Sequence, residues 1–297
     1  MFEVNSTIEA TCQSWSKPAS ETEEVKCDNA VRMIKDALRM SNSLDSFEID
    51  FIPKGSYHNN TNVRLNSDVD VAVVLRNPFF ADYPSGKGKD EFGHVESDYK
   101  FCTYREDVYQ ALSAKFGYEN VELGNKSIKI RSNSHRVDAD AVPCLEHRRY
   151  DSNGNFITGT AFIPKDNSNI VENYPVQHYE NGKNKNVATS KRYKKVVRII
   201  KRIRYSMAQV KDEHTNISSF LIECLIWNVP NNYFGHNLLA DDVLACFNYL
   251  IDNTAKHEQC KDWGEVSDLL YLFHSGRKYT VYETRKFLID AKNYMFS

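Results

Sequence analysis

Two aspartates, Asp68 and Asp70, are separated by one residue at the start of an apolar, β-branched segment that extends to Leu75. Because successive side chains of a strand point to opposite faces, both carboxylates emerge on one face. Carboxylates this close repel each other and raise at least one pKa unless a cation lies between them. Mg²⁺ is the suitable cation, because it prefers oxygen ligands and shares its coordination shell with phosphate and water. The pair predicts a magnesium site, although alone it also fits a solvated strand end.

A Gly-Ser dipeptide precedes the acidic pair. Gly55-Ser56 follows a predicted strand, and Asp68 comes twelve residues after the serine. Glycine lets the backbone approach a phosphate closely, and backbone N–H groups with the Ser56 hydroxyl can hold β- and γ-phosphates. An isolated Gly-Ser would be a plain turn. Beside the acidic pair, it predicts a phosphate-binding turn.

A third acid is expected from a neighbouring strand. The segment 136–143 offers Asp138 and Asp140 on the same face. We choose Asp140, because two apolar residues and Pro143 follow it, and leave Asp138 as a supporting or exposed carboxylate. Asp68, Asp70 and Asp140 would then be both catalytic and metal-binding. Two Mg²⁺ ions about 3.5–4 Å apart, with Mn²⁺ as the expected substitute, can stabilise the attacking and leaving oxygens of an in-line displacement.

These residues resemble the Pol-β-like nucleotidyltransferase superfamily, and most closely its bacterial cGAS/DncV-like members (CD-NTases). The matching segments are Gly55-Ser56, the run from Ser67 to Val74, and the run from Val137 to Pro143. The resemblance implies an α+β fold in which a mixed-sheet lobe packs against a mainly helical C-terminal lobe across a central cleft. It implies an enzyme that makes a cyclic di- or trinucleotide second messenger from nucleoside triphosphates. It also implies bacterial anti-phage signalling (CBASS), with the product read by a separate effector protein.

The resemblance continues in the C-terminal half of the chain. The segment 194–201 resembles the helix whose lysine reaches the donor triphosphate, which gives that role to Lys201. The segment 219–223 resembles a helix start, with Ser219 touching phosphate and Phe220 stacking on the base. A polar stretch after residue 178 resembles one near the nucleotide pocket, where an asparagine amide can pair with a pyrimidine edge. Asn181 and Asn186 are therefore candidate readers in a uridine-using subclass, with an Asn-Gly turn as the alternative for Asn181.

A strongly basic run supports phosphate binding. Between Asn181 and Lys211 the chain has eleven Lys or Arg and no Asp or Glu. Helical spacing predicts an apolar stripe flanked by a cationic face containing Arg198 and Lys201. The alternative is a solvated cationic face, but soluble surfaces normally mix both signs.

Hydrophobic periodicity places these motifs on elements. The N-terminal half is predicted to contain both helices and strands, and the C-terminal half is predicted to be mainly helical. Asn153-Gly154 indicates a hairpin, and residues 77–97 read as an exposed loop. We predict a catalytic lobe at 1–165 and a helical lobe at 166–297. The predicted helices are 23–40, 99–116, 190–210, 218–228, 237–255 and 281–294, and the predicted strands are 46–52, 68–75, 120–123, 127–131 and 136–142.

Composition excludes several classes of protein. A formal net charge of −2 over 297 residues gives no basic field for long DNA or RNA. The seven cysteines are scattered along the chain, which favours reduced thiols. The cysteines and histidines together lack the spacing of zinc ligands. The N-terminus has no signal-peptide pattern and no apolar run approaches a membrane span, so we expect a cytoplasmic protein without membrane contact.

Two other functions remain open at this point. One is a template-free transferase that adds nucleotides to RNA ends, a protein or a small molecule. The other is an inactive nucleotide-binding scaffold, which the intact acids argue against. Base specificity, 2′-5′ or 3′-5′ linkage, ring size, activator requirement and oligomeric state depend on geometry that residue spacing does not report.

Overall fold

The computed structural model describes residues 4–18, 20–63, 68–211, 217–274 and 278–297, without the side chains of residues 21, 22, 210 and 211. The chain divides into two compact units. The sheet unit comprises residues 20–58 and 65–176, and the helical unit comprises residues 1–19, 59–64 and 177–297. Ser67, part of the quoted motif, lies outside the described residues.

The sheet unit is built on one seven-stranded mixed sheet. Its main order is β1-β2-β5-β4-β3, with β6 paired to β5 and β7 paired to β6. The pair β2·β5 is parallel and the other pairs are antiparallel. The strands are β1 (Ile49–Lys54), β2 (Val69–Asp82), β3 (Val121–Leu123), β4 (Ile128–Ile130), β5 (Ala139–Tyr150), β6 (Phe156–Phe162) and β7 (Val171–Asn173).

Apolar burial explains why β2 and β5 lie at the centre of this sheet. Residues 71–75 of β2 and 141–145 of β5 are all buried, and a continuous apolar run is typical of strands covered on both faces. The Tyr104 hydroxyl donates to the Val73 carbonyl at 3.1 Å, so a helix packs directly on β2. The longer helices of the described sheet unit are α2 (Glu21–Arg39) and α4 (Phe101–Phe116), and the short α3 spans Gly55–His58.

The helical unit forms a second hydrophobic core. The predicted apolar stripe is confirmed, since Val196, Ile199, Ile200 and Ile203 are all buried. The Ser218 hydroxyl caps the next helix by accepting the Leu221 N–H at 3.0 Å. The described helices are α1 (Ser6–Trp15), α6 (Tyr193–Lys211), α7 (Ser219–Trp227), α8 (Leu239–Asn253), α9 (His257–Cys260) and α10 (Val281–Phe296), while α5 (Pro175–Ala188) crosses the boundary between the units.

The two units differ from the predicted lobes at 1–165 and 166–297. Helix α1, which was not predicted, belongs to the helical unit, because its Cys12 is buried in that core. Residues 59–64 also belong there, since the Arg198 guanidinium donates to the Asn60 carbonyl oxygen at 2.5 Å. Neither segment has a periodicity that could have identified its packing partner.

Two element predictions were wrong. Strand β2 continues to Asp82, into the predicted loop 77–97, because pairing with β5 resumes at Phe79 after a register shift. Residues 175–188, for which no helix was predicted, form α5, and Pro175 is its first residue. Asn181 is therefore in a helix and not in an Asn-Gly turn. In the described part of the chain, no helix is long and apolar enough to cross a membrane.

Candidate active site

The parallel pairing of β2 and β5 brings two of the predicted acids together. Asp70 and Asp140 are direct register partners, so their side chains lie on the same face of neighbouring strands. Asp68 is exposed and immediately precedes β2. It raises the pKa of both other acids, so it lies within electrostatic reach of them. The described geometry thus groups the three predicted carboxylates at one end of the central strand pair.

Two lysines flank the carboxylates. Lys54 is the register partner of Asp70 on β1, and Lys129 is that of Asp140 on β4. Partners directly across a strand pair lie on one face. The prediction overlooked both residues, although Lys54 directly precedes the Gly-Ser dipeptide and could have been found there. They add positive charge to a face that otherwise carries acids.

Burial and like charge raise the pKa values of the paired acids. Burial raises the pKa of Asp70 to about 6, Lys54 acts to lower it, and Asp140 and Asp68 raise it further. Burial also raises the pKa of Asp140, while the Ser127 hydroxyl, 3.1 Å from its Oδ1, acts to lower it. Keeping both Asp70 and Asp140 ionised in the folded protein therefore costs free energy. A divalent cation between them would remove that cost.

The Gly55 backbone lies against the Asp70 carboxylate. Gly55 has φ +76, and a Cβ there would be 2.0 Å from Asp70 Oδ2. Glycine is thus required both by the left-handed backbone and by the close approach. Ser56 is half-buried as the second residue of α3. The predicted Gly-Ser element therefore sits at the acids, although as the start of a short helix.

Asp138, the alternative third acid, has a structural partner. Its carboxylate accepts the Ser132 backbone N–H at 2.5 Å, and its carbonyl accepts the Val69 N–H at 3.0 Å. The side chain thus orders the turn that leads into β5. This contact favours Asp140 as the third acid.

Lys201 is buried in the helical unit, with 1% of its surface exposed. Its Nζ donates to Glu223 Oε2 at 2.9 Å and to Thr61 Oγ1 at 3.0 Å. Glu223 Oε1 also lies 3.0 Å from His178 Nε2. Burial alone would raise the pKa of Glu223, but Lys201 and His178 hold it well below its usual range. We name these four residues, Thr61, His178, Lys201 and Glu223, the buried ion network.

The predicted cationic face of α6 is therefore largely covered. Arg198 is also buried, and its Nε donates to the Ser16 carbonyl at 2.6 Å. The periodicity placed Arg198 and Lys201 correctly on a common side of the helix, but it could not show that protein covers that side. One signal was available, because Glu223 is the single acid of an otherwise apolar helix, SFLIECLIW, and a buried acid needs a cation.

The other predicted nucleotide-binding residues of the helical unit have mixed settings. Phe220 is 37% exposed, with its ring centroid 5.8 Å from that of His178. Ser219 Oγ lies 3.3 Å from the Tyr205 hydroxyl.

Asn181 Nδ2 donates to the Val266 carbonyl at 2.9 Å. Asn186 Oδ1 accepts the Lys194 N–H at 3.1 Å, next to the start of α6. Both asparagines thus make structural hydrogen bonds.

Comparisons with known proteins agree with this geometry. Residues 180–296 match the family described as the cGAS/DncV-like nucleotidyltransferase C-terminal helical domain. The chain is 40% identical over 287 residues to the cyclic dipyrimidine nucleotide synthase CdnE of Cecembia lonarensis, covering 95% of this chain and 96% of that protein. It is 40% identical over 293 residues to the synthase of the same name from Legionella pneumophila, covering 97% of each.

A solved structure extends the likeness to the fold. The Elizabethkingia meningoseptica CdnE cyclic dinucleotide synthase, determined with GTP and Apcpp, matches with a TM-score of 0.81 and 31% identity, covering 97% of this chain and 99% of that one. A mixed sheet with aspartates in register on its parallel pair, together with a helical unit, is the Pol-β-like nucleotidyltransferase fold. The chain belongs to the cGAS/DncV-like nucleotidyltransferases.

Several predictions are thereby confirmed. They are the family, the α+β fold of the Pol-β-like type, and the enzyme class, a nucleotidyltransferase that makes a cyclic oligonucleotide messenger. Members of this family typically depend on a metal ion. The solved relative was determined with GTP and Apcpp, which agrees with nucleoside triphosphate substrates.

Proposed function

We propose that Asp68, Asp70 and Asp140 would hold two Mg²⁺ ions, and that a ribose hydroxyl attacks the α-phosphorus of a nucleoside triphosphate beside these acids. The new bond joins the ribose oxygen to that phosphorus, the hydroxyl proton is released, the bond from the α-phosphorus to the β-phosphate oxygen breaks, and pyrophosphate leaves. The single observation that carries this assignment is the register partnership of Asp70 and Asp140. Bound ions would supply positive charge to the attacking and leaving oxygens.

The chain's own residues provide the setting for this reaction. Gly55 has no side chain where the Asp70 carboxylate lies, so the backbone of the Gly-Ser element can sit directly beside that carboxylate. The backbone and hydroxyl of Ser56 would hold the β- and γ-phosphates, as predicted. Ring closure needs a second displacement of the same kind, in which the linear intermediate supplies both the hydroxyl and the triphosphate.

We further propose that the substrates include a pyrimidine nucleotide. The relatives from Cecembia and Legionella are named cyclic dipyrimidine synthases, each 40% identical to this chain. Phe220 would stack on a base and Ser219 would contact phosphate. Asn181 and Asn186 stay candidate readers, but each would have to exchange a structural hydrogen bond for the base. By the family resemblance, the product is an anti-phage signal for a separate effector.

Incubation with labelled nucleotides and Mg²⁺ tests the reaction. We expect a product that resists phosphatase, because a cyclic nucleotide has no terminal phosphate. The double variant Asp68→Asn with Asp70→Asn should lose at least on the order of 10³-fold in product while still folding. Retained synthesis in this variant would refute the site.

Mass spectrometry of the product from all four nucleotides tests the substrate. A cyclic product with at least one uridine or cytidine supports the pyrimidine proposal, and a purely purine ring contradicts it. Linear RNA tailing or a nucleotidylated acceptor would instead indicate a template-free transferase.

A further inference from the structure

A histidine and two carboxylates meet away from the catalytic acids. Asp82 ends β2, His147 lies on β5 and Glu172 lies on β7. One potential ligand atom from each residue lies within 4.8 Å of the other two. We name these three residues the Asp–His–Glu cluster. Along β5, seven residues separate His147 from Asp140, which is roughly 23 Å of strand, so the cluster is a separate site.

The separation between the His147 and Asp82 donor atoms is close to that of two ligands on one ion. His147 Nε2 and Asp82 Oδ2 are 3.4 Å apart, longer than a good N–H···O hydrogen bond. Two ligands of one tetrahedral ion, each about 2.1 Å from it, are separated by about 3.4 Å.

Packing against Tyr174 holds the imidazole in position. His147 is only 2% exposed, and its ring meets that of Tyr174 edge-on, with the centroids 6.1 Å apart and Nδ1 3.5 Å from the hydroxyl. Tyr174 packs so closely on β6 that a Cβ at Gly159 would be 2.8 Å from its ring. A neutral imidazole that carries its proton on Nδ1, on the Tyr174 side, presents Nε2 as the acceptor that faces Asp82. Metal-binding histidines typically have such a partner on the second nitrogen.

We propose that the Asp–His–Glu cluster binds one divalent transition-metal ion, of the Zn²⁺ or Mn²⁺ type. An imidazole with two carboxylates is a ligand set for such ions, whereas Mg²⁺ favours oxygen ligands. The exposed side of Asp82 gives an ion access from solvent. The neighbouring Arg149, which hydrogen-bonds Tyr174, contributes a positive charge that the two carboxylates offset.

The bound ion would fasten the edge of the sheet. Strand β7 pairs with β6 through only three residue pairs. A ligand bond from Glu172 would tie it additionally to β5 and to the end of β2. The role is structural and independent of the catalytic metals, because the catalytic acids lie at the opposite end of the same strands.

Metal counting tests the proposal. The Asp68→Asn, Asp70→Asn protein, equilibrated with Zn²⁺ or Mn²⁺ and dialysed, should retain about one ion per chain. Adding Asp82→Asn or Glu172→Gln should weaken binding at least about 10-fold, whereas the exposed Asp98→Asn should not. Cobalt substitution should give a visible absorption band that Tyr174→Phe shifts or weakens.

Two results would overturn the proposal. One is an absence of retained ion in the starting protein, and the other is retention that Asp82→Asn and Glu172→Gln leave unchanged. Asp82 is exposed, so its substitution does not depend on the core refolding. Thermal melting with and without Zn²⁺ gives an additional readout, since stabilisation by the ion should vanish in both variants.

Discussion

At the scale of single residues, Asp70 combines burial with like charge. Its pKa is raised to about 6 in the folded protein from an ordinary value of 3.8. Folding therefore favours the protonated form. The stability that the folded protein gains from protonated Asp70 is complete below the ordinary pKa of 3.8. That gain is lost as the pH rises through about 6. In metal-free buffer, the wild type should lose stability between about pH 4 and 6 and then level off.

The variant Asp70→Asn should lack this loss. We expect it to be more stable than the wild type above pH 6, by about 1–3 kcal/mol, and to be inactive. Chemical denaturation across pH 4 to 8 checks the difference, with the exposed Asp98→Asn as control. Added Mg²⁺ should stabilise the wild type more than Asp70→Asn. A stability difference that is constant across this pH range would contradict the prediction.

Gly55 offers a matched test of the close approach to Asp70. The variant Gly55→Ala places a Cβ 2.0 Å from the Asp70 carboxylate at φ +76. We expect at least about 10-fold lower activity and a loss of about 1–3 kcal/mol in stability. Gly154→Ala is the control, because Gly154 has φ +88 with nothing within 4 Å of its Cβ position. Equal effects of the two substitutions on turnover would show that the carboxylate contact is irrelevant.

At the scale of elements, the buried ion network joins α6 to α7. Lys201→Ala would leave the Glu223 carboxylate buried without its cation, which should cost about 3–5 kcal/mol of stability. The role that the family resemblance gives Lys201, contact with the donor triphosphate, stays a separate prediction. The pair Lys201→Met with Glu223→Gln should recover much of the loss, because neither buried charge then remains.

A double-mutant cycle on Lys201 and Glu223 measures their coupling. Urea denaturation gives the stability of the wild type, both single variants and the double variant. Additive losses would contradict the ion pair. If Lys201 also reaches the triphosphate, the stable double variant should still show a raised apparent KM for nucleotide.

Phe220 lies at the start of the same helix α7 and should behave differently. Its ring is partly exposed, so Phe220→Ala should change stability little. Base stacking contributes about 1–3 kcal/mol, so the apparent KM should rise about 5- to 100-fold. Phe220→Tyr should retain affinity, and the exposed Tyr282→Ala on α10 is the control. An unchanged KM in Phe220→Ala would remove the stacking role.

At the scale of the whole molecule, the sequence predicted the local elements better than their partners. The apolar run after Asp70 was sufficient to predict the strand, although β2 begins at Val69 and Asp68 lies just before it. The third acid required a choice between Asp138 and Asp140, because strand pairing across 70 residues is not visible in periodicity. The register with Asp70 distinguishes them.

Like strand pairing, the burial of individual side chains could not be predicted from the hydrophobic pattern. The helical period placed Lys201 beside the apolar stripe of α6, and a run of positive charge suggested an open cationic face. The structure covers that side, with Lys201 paired to Glu223. The Asp–His–Glu cluster was likewise missed, because its members come from three strands and share no motif.

The parallel pairing of β2 with β5 has a consequence for how the enzyme matures. Its two partnered acids are 70 positions apart in the chain and become neighbours only when a long loop closes, an entropically costly step. An unfinished polypeptide that stops before residue 139 has no β5 and thus lacks Asp140, one of the three proposed metal-binding acids. Under the proposed site, messenger synthesis therefore requires that β2 and β5 have already paired.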